Sequence, residues 1–126
     1  MNLNQVTLPA HDVEASADFY RRMGFRQIVA NLPDYARFEC PQGDATFSLH
    51  RVPLDCPRSA TVVYFETATL DAEVDRLREA GFTFRQLPTD QPWLWREAYL
   101  EDPAGNTVCL FHAGVIRKHP PWRLKE

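Results

Sequence analysis

Cysteine is scarce: three in 126 residues, an odd number with no C-x-x-C spacing. That excludes a disulfide framework and a structural zinc site of the usual kind, and leaves reduced thiols. No apolar run approaches the thickness of a bilayer, so no membrane-spanning helix is expected. Basic charge is not in excess either. With a formal net charge of −3 the chain has no electrostatic footprint for nucleic acid, and neither nucleic acid nor membrane is an expected partner. The opening "MNLNQVTLPAHD" has no basic region followed by an apolar block, which argues against a secretory signal and makes the cytoplasm the expected compartment. What remains is the composition of a soluble globular domain, 44% hydrophobic and 25% charged, in a chain one domain long.

What the chain does contain is an internal repeat. "QVTLPAHDVEASADFYRRMGF" (5–25) and "VVYFETATLDAEVDRLREAGF" (62–82) align without a gap. Each begins as a short strand, passes a capping residue (Asp12; Thr69), continues as a helix and ends at Gly24 or Gly81. Asp and Thr accept hydrogen bonds from free N–H groups at a helix start, and glycine takes the left-handed conformation that ends one. Val13, Ala17, Tyr20 and Met23 form one helical stripe; Leu70, Val74 and Leu77 form the other. Three strand-like runs follow each helix: "FRQIVA", "YARFEC" and "ATFSLHRV" in the first copy, "FTFRQL", "LWREAYLE" and "TVCLFH" in the second. The order is βαβββ, twice. The expected class is α+β, a single domain over 1–113 with module one at 3–53, a linker at 53–60, module two at 61–113, and a tail at 114–126. In that tail Trp122 is positioned to clip onto the body or onto a second chain.

A helix covers one face of its sheet, so strand alternation sorts side chains into a packed and an open set. Val6, Leu8, Phe47, Leu49, Val63, Phe65, Val108 and Leu110 belong to the packed set. Gln5, Thr7, Thr46, Ser48, His50, Val62, Tyr64, Glu66, Thr107, Cys109 and Phe111 belong to the open set.

The duplicated order, "DVEASADFYRRMGF" after a first strand and "AYLEDPAGN" before a last strand together resemble the vicinal oxygen chelate superfamily. This is the glyoxalase, bleomycin-resistance and extradiol-dioxygenase group, and the likeness covers roughly residues 3–112. The resemblance implies that the strands curl into a mixed-sheet cup with the helices outside, closed within one chain or across a homodimer. It also implies a divalent metal in the enzymes of the group, held by His, Gln and Glu at the first and last strands of each module. Residue by residue those positions fall on Gln5, Ser48, Val62 and Cys109. Only Gln5 is of a usual ligand type, and Val62 offers no donor.

Two functions remain open on these residues. One is a metal-free binding protein with no cofactor, holding an aromatic or amphipathic small molecule against Gln5, Thr7, Ser48, His50, Tyr64, Glu66, Trp93, Trp95, Cys109 and Phe111. The alternative is an enzyme: a divergent metal-dependent lyase, isomerase or dioxygenase, its ion held by Gln5, His50 and Glu66 with Cys109 as an optional fourth ligand, or, as a lesser reading, a metal-free enzyme with Glu66 or His50 as acid and base. His50 also reads as a solvated histidine near a strand end, and Glu66 as a strand-end carboxylate. Cys109 reads as a small lining residue before it reads as a nucleophile. Trp93 and Trp95 share strand parity and form either a core plug or a stacking wall for a planar ligand. The direction of Arg96 depends on a phase that the pattern leaves unset. Asp102, Pro103, Gly105 and Asn106 are turn chemistry.

Overall fold

The computed structural model describes residues 1–125. Each βαβββ copy becomes one four-stranded mixed sheet with one helix. In the first, β1 (Gln5–Ala10), α1 (Val13–Met23), β2 (Arg26–Asn31), β3 (Tyr35–Glu39) and β4 (Thr46–Arg51) give the strand order β1-β4-β3-β2. In the second, β5 (Val62–Glu66), α2 (Leu70–Glu79), β6 (Gln86–Asp90), β7 (Arg96–Glu101) and β8 (Thr107–His112) give β5-β8-β7-β6. The first and last strands of each copy run parallel and the remaining pairs are antiparallel. Among the described residues no helix is long and apolar enough to cross a membrane.

Strand parity falls as the alternation requires. Leu8, Ala10, Ala36, Phe38, Phe47 and Leu49 are buried, together with Val13, Ala17, Tyr20 and Met23 of α1. Phe38 stacks on Phe47 with centroids 5.1 Å apart, and the Tyr20 ring meets Phe47 edge-on at 4.9 Å. In the second copy Leu70, Val74, Leu77, Phe82, Ala98, Leu100, Val108 and Leu110 form the matching core. Asp12 caps α1 by accepting the Ala15 N–H at 3.1 Å, and Gly24 ends the helix at φ 113°.

Three local expectations are corrected. Thr69 makes no side-chain cap to α2; its own N–H instead donates to the Thr67 hydroxyl at 3.2 Å. The run "FTFRQL" is not a strand from its start, because Phe82 completes the helix end through its N–H to the Leu77 carbonyl (3.0 Å) and β6 begins only at Gln86. Trp93 and Trp95 lie outside β7: residues 91–95 form a turn closed by Leu94 N–H to Gln91 O and Gln91 N–H to Trp95 O, with Leu94 at φ 70°.

The chain forms two compact units, one of Met1–Thr61 with Asp102–Asn106, the other of the remaining described residues. The 102–106 turn belongs to the first unit because Asp102 gathers that unit's bonds. Its Oδ1 accepts the N–H groups of Ala104 and Asn106, and its Oδ2 accepts the Tyr20 hydroxyl at 2.7 Å and the Asn106 amide at 2.8 Å. Asn106 also donates to the Pro9 carbonyl at 2.8 Å. The motifs "DFYRRMGF" and "EDPAGN" therefore meet in one buried cluster, which makes both structural. Burial first, and then Asp102, push the Tyr20 phenol far above its ordinary range. After β8, a 3-10 turn at Gly114–Arg117 begins the tail, where Trp122 is 56% exposed.

Candidate functional site

The open face of the second sheet is built by register. Tyr64, Cys109 and Tyr99 lie abreast on β5, β8 and β7, and Glu66, Phe111 and Glu97 form the next row. Trp95 leaves the preceding turn on the same side and stacks on Phe111, with centroids 4.7 Å apart and planes at 18°. Tyr64 stands edge-on to both, at 6.0 Å from Trp95 and 5.6 Å from Phe111. The stack buries Phe111 and Cys109, while Tyr64 remains 46% exposed. The result is an aromatic wall with one edge in solvent.

Beside it lies a buried acid. Glu97 is 2% exposed and its carboxylate accepts Trp93 Nε1–H at 2.9 Å and the Tyr99 hydroxyl at 3.0 Å. Burial and then the bond to Glu97 hold the Tyr99 phenol well above its usual range, with Cys109 and Tyr64 also facing it. Burial pushes the Cys109 thiol up to about 12, Glu97 adds to the rise and the Tyr99 hydroxyl partly opposes it. Cys109 thus keeps its proton at neutral pH, and the face gives it no activating base. A hollow of about 380 Å³ opens next to Tyr99, lined also by Arg85, Gln86 and Thr107. A larger depression of about 720 Å³ is lined by α2 and the 81–84 loop with Leu87, and includes none of these open-face side chains.

The open face of the first sheet is polar and internally bonded. Thr46 donates to the Gln5 amide oxygen, and Gln5 Nε2 donates to Ser48 Oγ at 2.7 Å. Ser48 lies 2.5 Å from the Tyr35 hydroxyl, which also accepts Arg37 Nε–H at 3.0 Å. Burial acts to raise the Tyr35 phenol, but the bonds from Ser48 and Arg37 outweigh it and the net shift is downward.

The sequence-selected residues separate accordingly. Tyr64, Trp95, Cys109 and Phe111 come together on the second sheet with Val62 packed against them, and Trp93 joins them through its bond to Glu97. Gln5 and Ser48 join the first sheet's network, with Thr7 paired to Ser48 across β1 and β4. His50 is exposed at the end of β4, opposite Tyr35. Glu66 is committed to structure: its Oε2 accepts the N–H groups of Ala113 and Gly114, both at 2.8 Å, and Arg117 and His112 flank it at 3.8 and 3.9 Å. Arg96 turns away from the aromatic wall to Asp71 and Asp90, whose hydrogen bonds raise its pKa. Glu97 and Tyr99 went unselected, although Ala98 and Leu100 alternate with them and fix the phase of "REAYLE".

Residues 2–110 match the family model of the Glyoxalase/Bleomycin resistance protein/Dioxygenase superfamily. The chain belongs to that superfamily. No curated protein is similar enough to match. Among solved structures of the superfamily, a glyoxalase/bleomycin resistance protein/dioxygenase from Nocardioides is 27% identical, with 99% of this chain and 90% of that one covered and a TM-score of 0.76. A lactoylglutathione lyase from Agrobacterium tumefaciens (20%, 88% and 92% covered, TM-score 0.74) shares the fold. So does a bleomycin-binding protein complexed with bleomycin (20%, 89% and 98% covered, TM-score 0.69).

Superfamily membership raises the question of a divalent metal, and the donor set does not fit one. At the four positions to which the resemblance points, Gln5 and Ser48 are hydrogen-bonded to each other, Val62 has no donor atom, and Cys109 is the single strong ligand type. A hard or borderline ion needs carboxylates, imidazoles or thiolates there. Among the described residues no group of three or more His, Cys, Asp or Glu is placed to hold an ion.

Proposed function

We propose that this superfamily member is a metal-free binding protein that holds an aromatic or amphipathic small molecule against the open face of its second sheet. The observation that carries this reading is the Tyr64–Trp95–Phe111 wall, its Tyr64 edge in solvent, bordered by the Trp93–Glu97–Tyr99 polar group. An apolar surface with a few convergent polar groups is the usual make-up of a small-molecule site. A superfamily fold complexed with bleomycin supports the reading by analogy of fold. Part of the same proposal is a cytoplasmic homodimer.

Tryptophan fluorescence tests it across a panel of planar and amphipathic compounds. The expected result is a saturable change that Trp95→Ala weakens about tenfold or more, as removal of an aromatic anchor does. A panel that moves neither the fluorescence nor the melting temperature would overturn it. The alternative metal-dependent lyase or dioxygenase would draw on Gln5, His50 and Glu66, and Glu66 already accepts two backbone bonds. Retention of stoichiometric divalent metal, lost in Gln5→Ala or His50→Ala, would decide for that alternative.

A further inference from the structure

We infer that the site selects a cation: an organic ammonium or amidinium carried on an apolar body, its charge against Glu97 and its body against the aromatic wall. The inference rests on the binding function proposed above and adds the charge of the ligand. Three observations carry it.

Glu97 is the buried acid of this face, and its hydrogen bonds come from neutral donors, an indole and a phenol. Removing a carboxylate from water without a counter-charge is costly, and a cation is what lowers that cost. The face's other two acids are already matched, Glu66 by Arg117 and backbone N–H groups and Glu101 by Arg85 at 2.8 Å. No open-face position of β5, β6, β7 or β8 is Lys or Arg, so the sheet supplies Glu97 with no cation.

The surroundings suit a cation rather than a second neutral donor. Phe111 is the cross-strand partner of Glu97, Trp95 stacks on Phe111, and Tyr64 stands edge-on to both. Faces of aromatic rings attract positive charge. Finally, the group covering the acid is placed to give way. Trp93 is 46% exposed, sits on a turn outside the strand and holds Glu97 Oε2 through a single indole N–H. An ammonium group can replace that donor with a charged one, which makes a stronger bond to a carboxylate.

The test is calorimetric titration of the full chain with three probes of one shape: naphthylmethylammonium, naphthylmethanol and naphthoate. The expected order is cation, then alcohol, then anion, with the cation about tenfold or more tighter than the alcohol. Glu97→Gln should remove the cation's advantage, so that the ratio of cation to alcohol affinity falls from about tenfold to about one. Equal binding of cation and alcohol to the unaltered protein overturns the charge selection while the binding function stands, and needs no variant to fold. Tight binding of the alcohol with a cation preference that survives Glu97→Gln overturns Glu97 as its source. Binding of none of the three overturns this inference and the proposed function together.

Discussion

The two sheets answer to the same strand order and parity, yet their open faces differ in kind. Equivalent positions on β3 and β7 hold Tyr35 and Arg37 in the first copy, Glu97 and Tyr99 in the second. The first copy has a phenol bonded to a cation and the second a phenol bonded to an anion, and the two phenols shift in opposite directions. The first face closes its polar groups on one another, from Thr46 through Gln5 and Ser48 to Tyr35 and Arg37. The second buries an acid among rings, its hydrogen bonds coming from the neutral donors Trp93 and Tyr99. Duplication thus preserved the packed side of each sheet, and the chemistry diverged on the side that packing does not constrain.

The helices differ as well. Tyr20 of α1 reaches Asp102, while its counterpart in α2 is Leu77, which only packs. The largest way to break the comparison is therefore Asp102→Ala. It strips four donors of one acceptor group and should cost about 3–5 kcal/mol in denaturant unfolding. Tyr20→Phe removes one charge-assisted bond and should cost about 2 kcal/mol.

Next in size is the contrast in binding. Trp95→Ala on the second sheet should weaken an aromatic ligand by about 1.5–3 kcal/mol, whereas Arg37→Ala on the first should change it by less than about 0.5 kcal/mol. The reverse order, measured by the same titration, would move the site to the first sheet.

A smaller effect separates the phenols by pH. In an ultraviolet absorbance titration, Tyr35→Phe should delete an early part of the phenolate rise and Tyr99→Phe a late part, following their opposite shifts. Smallest is the thiol. Cys109 is raised to about 12, so the folded chain keeps a proton that the unfolded chain loses at about pH 8.5. Its contribution to stability is fully present below that pH and is lost as pH rises toward the folded value. Cys109→Ala should flatten this alkaline loss in melting experiments, and in the unaltered protein Cys109 should alkylate more slowly than Cys56, which is partly exposed.

The frame was legible because it is periodic. The gapless repeat, Gly24, and the alternation around Phe47–Leu49 and Val108–Leu110 each state one local rule, and the folded chain obeys them together. The site was legible only in part. Tyr64, Cys109 and Phe111 follow from strand parity, but Glu97 sits two residues beyond a turn whose closure no local pattern announces. Its partner Trp93 is brought back to it by Leu94 in a left-handed conformation. Glu66 shows the converse: parity puts it on the open face as a candidate base, while its two partners are backbone N–H groups after β8, 47 and 48 residues away.

Three tryptophans give the most direct measurement, because they sit in three different settings. Indole N–H resonances, assigned with single Trp→Phe variants, can be followed by NMR as naphthylmethylammonium is added. The account predicts saturable shifts of Trp93 and Trp95, with Trp122 in the tail unmoved. Shifts confined to Trp122, or no shift at any of the three up to the solubility limit of the probe, would contradict a binding site on the second sheet.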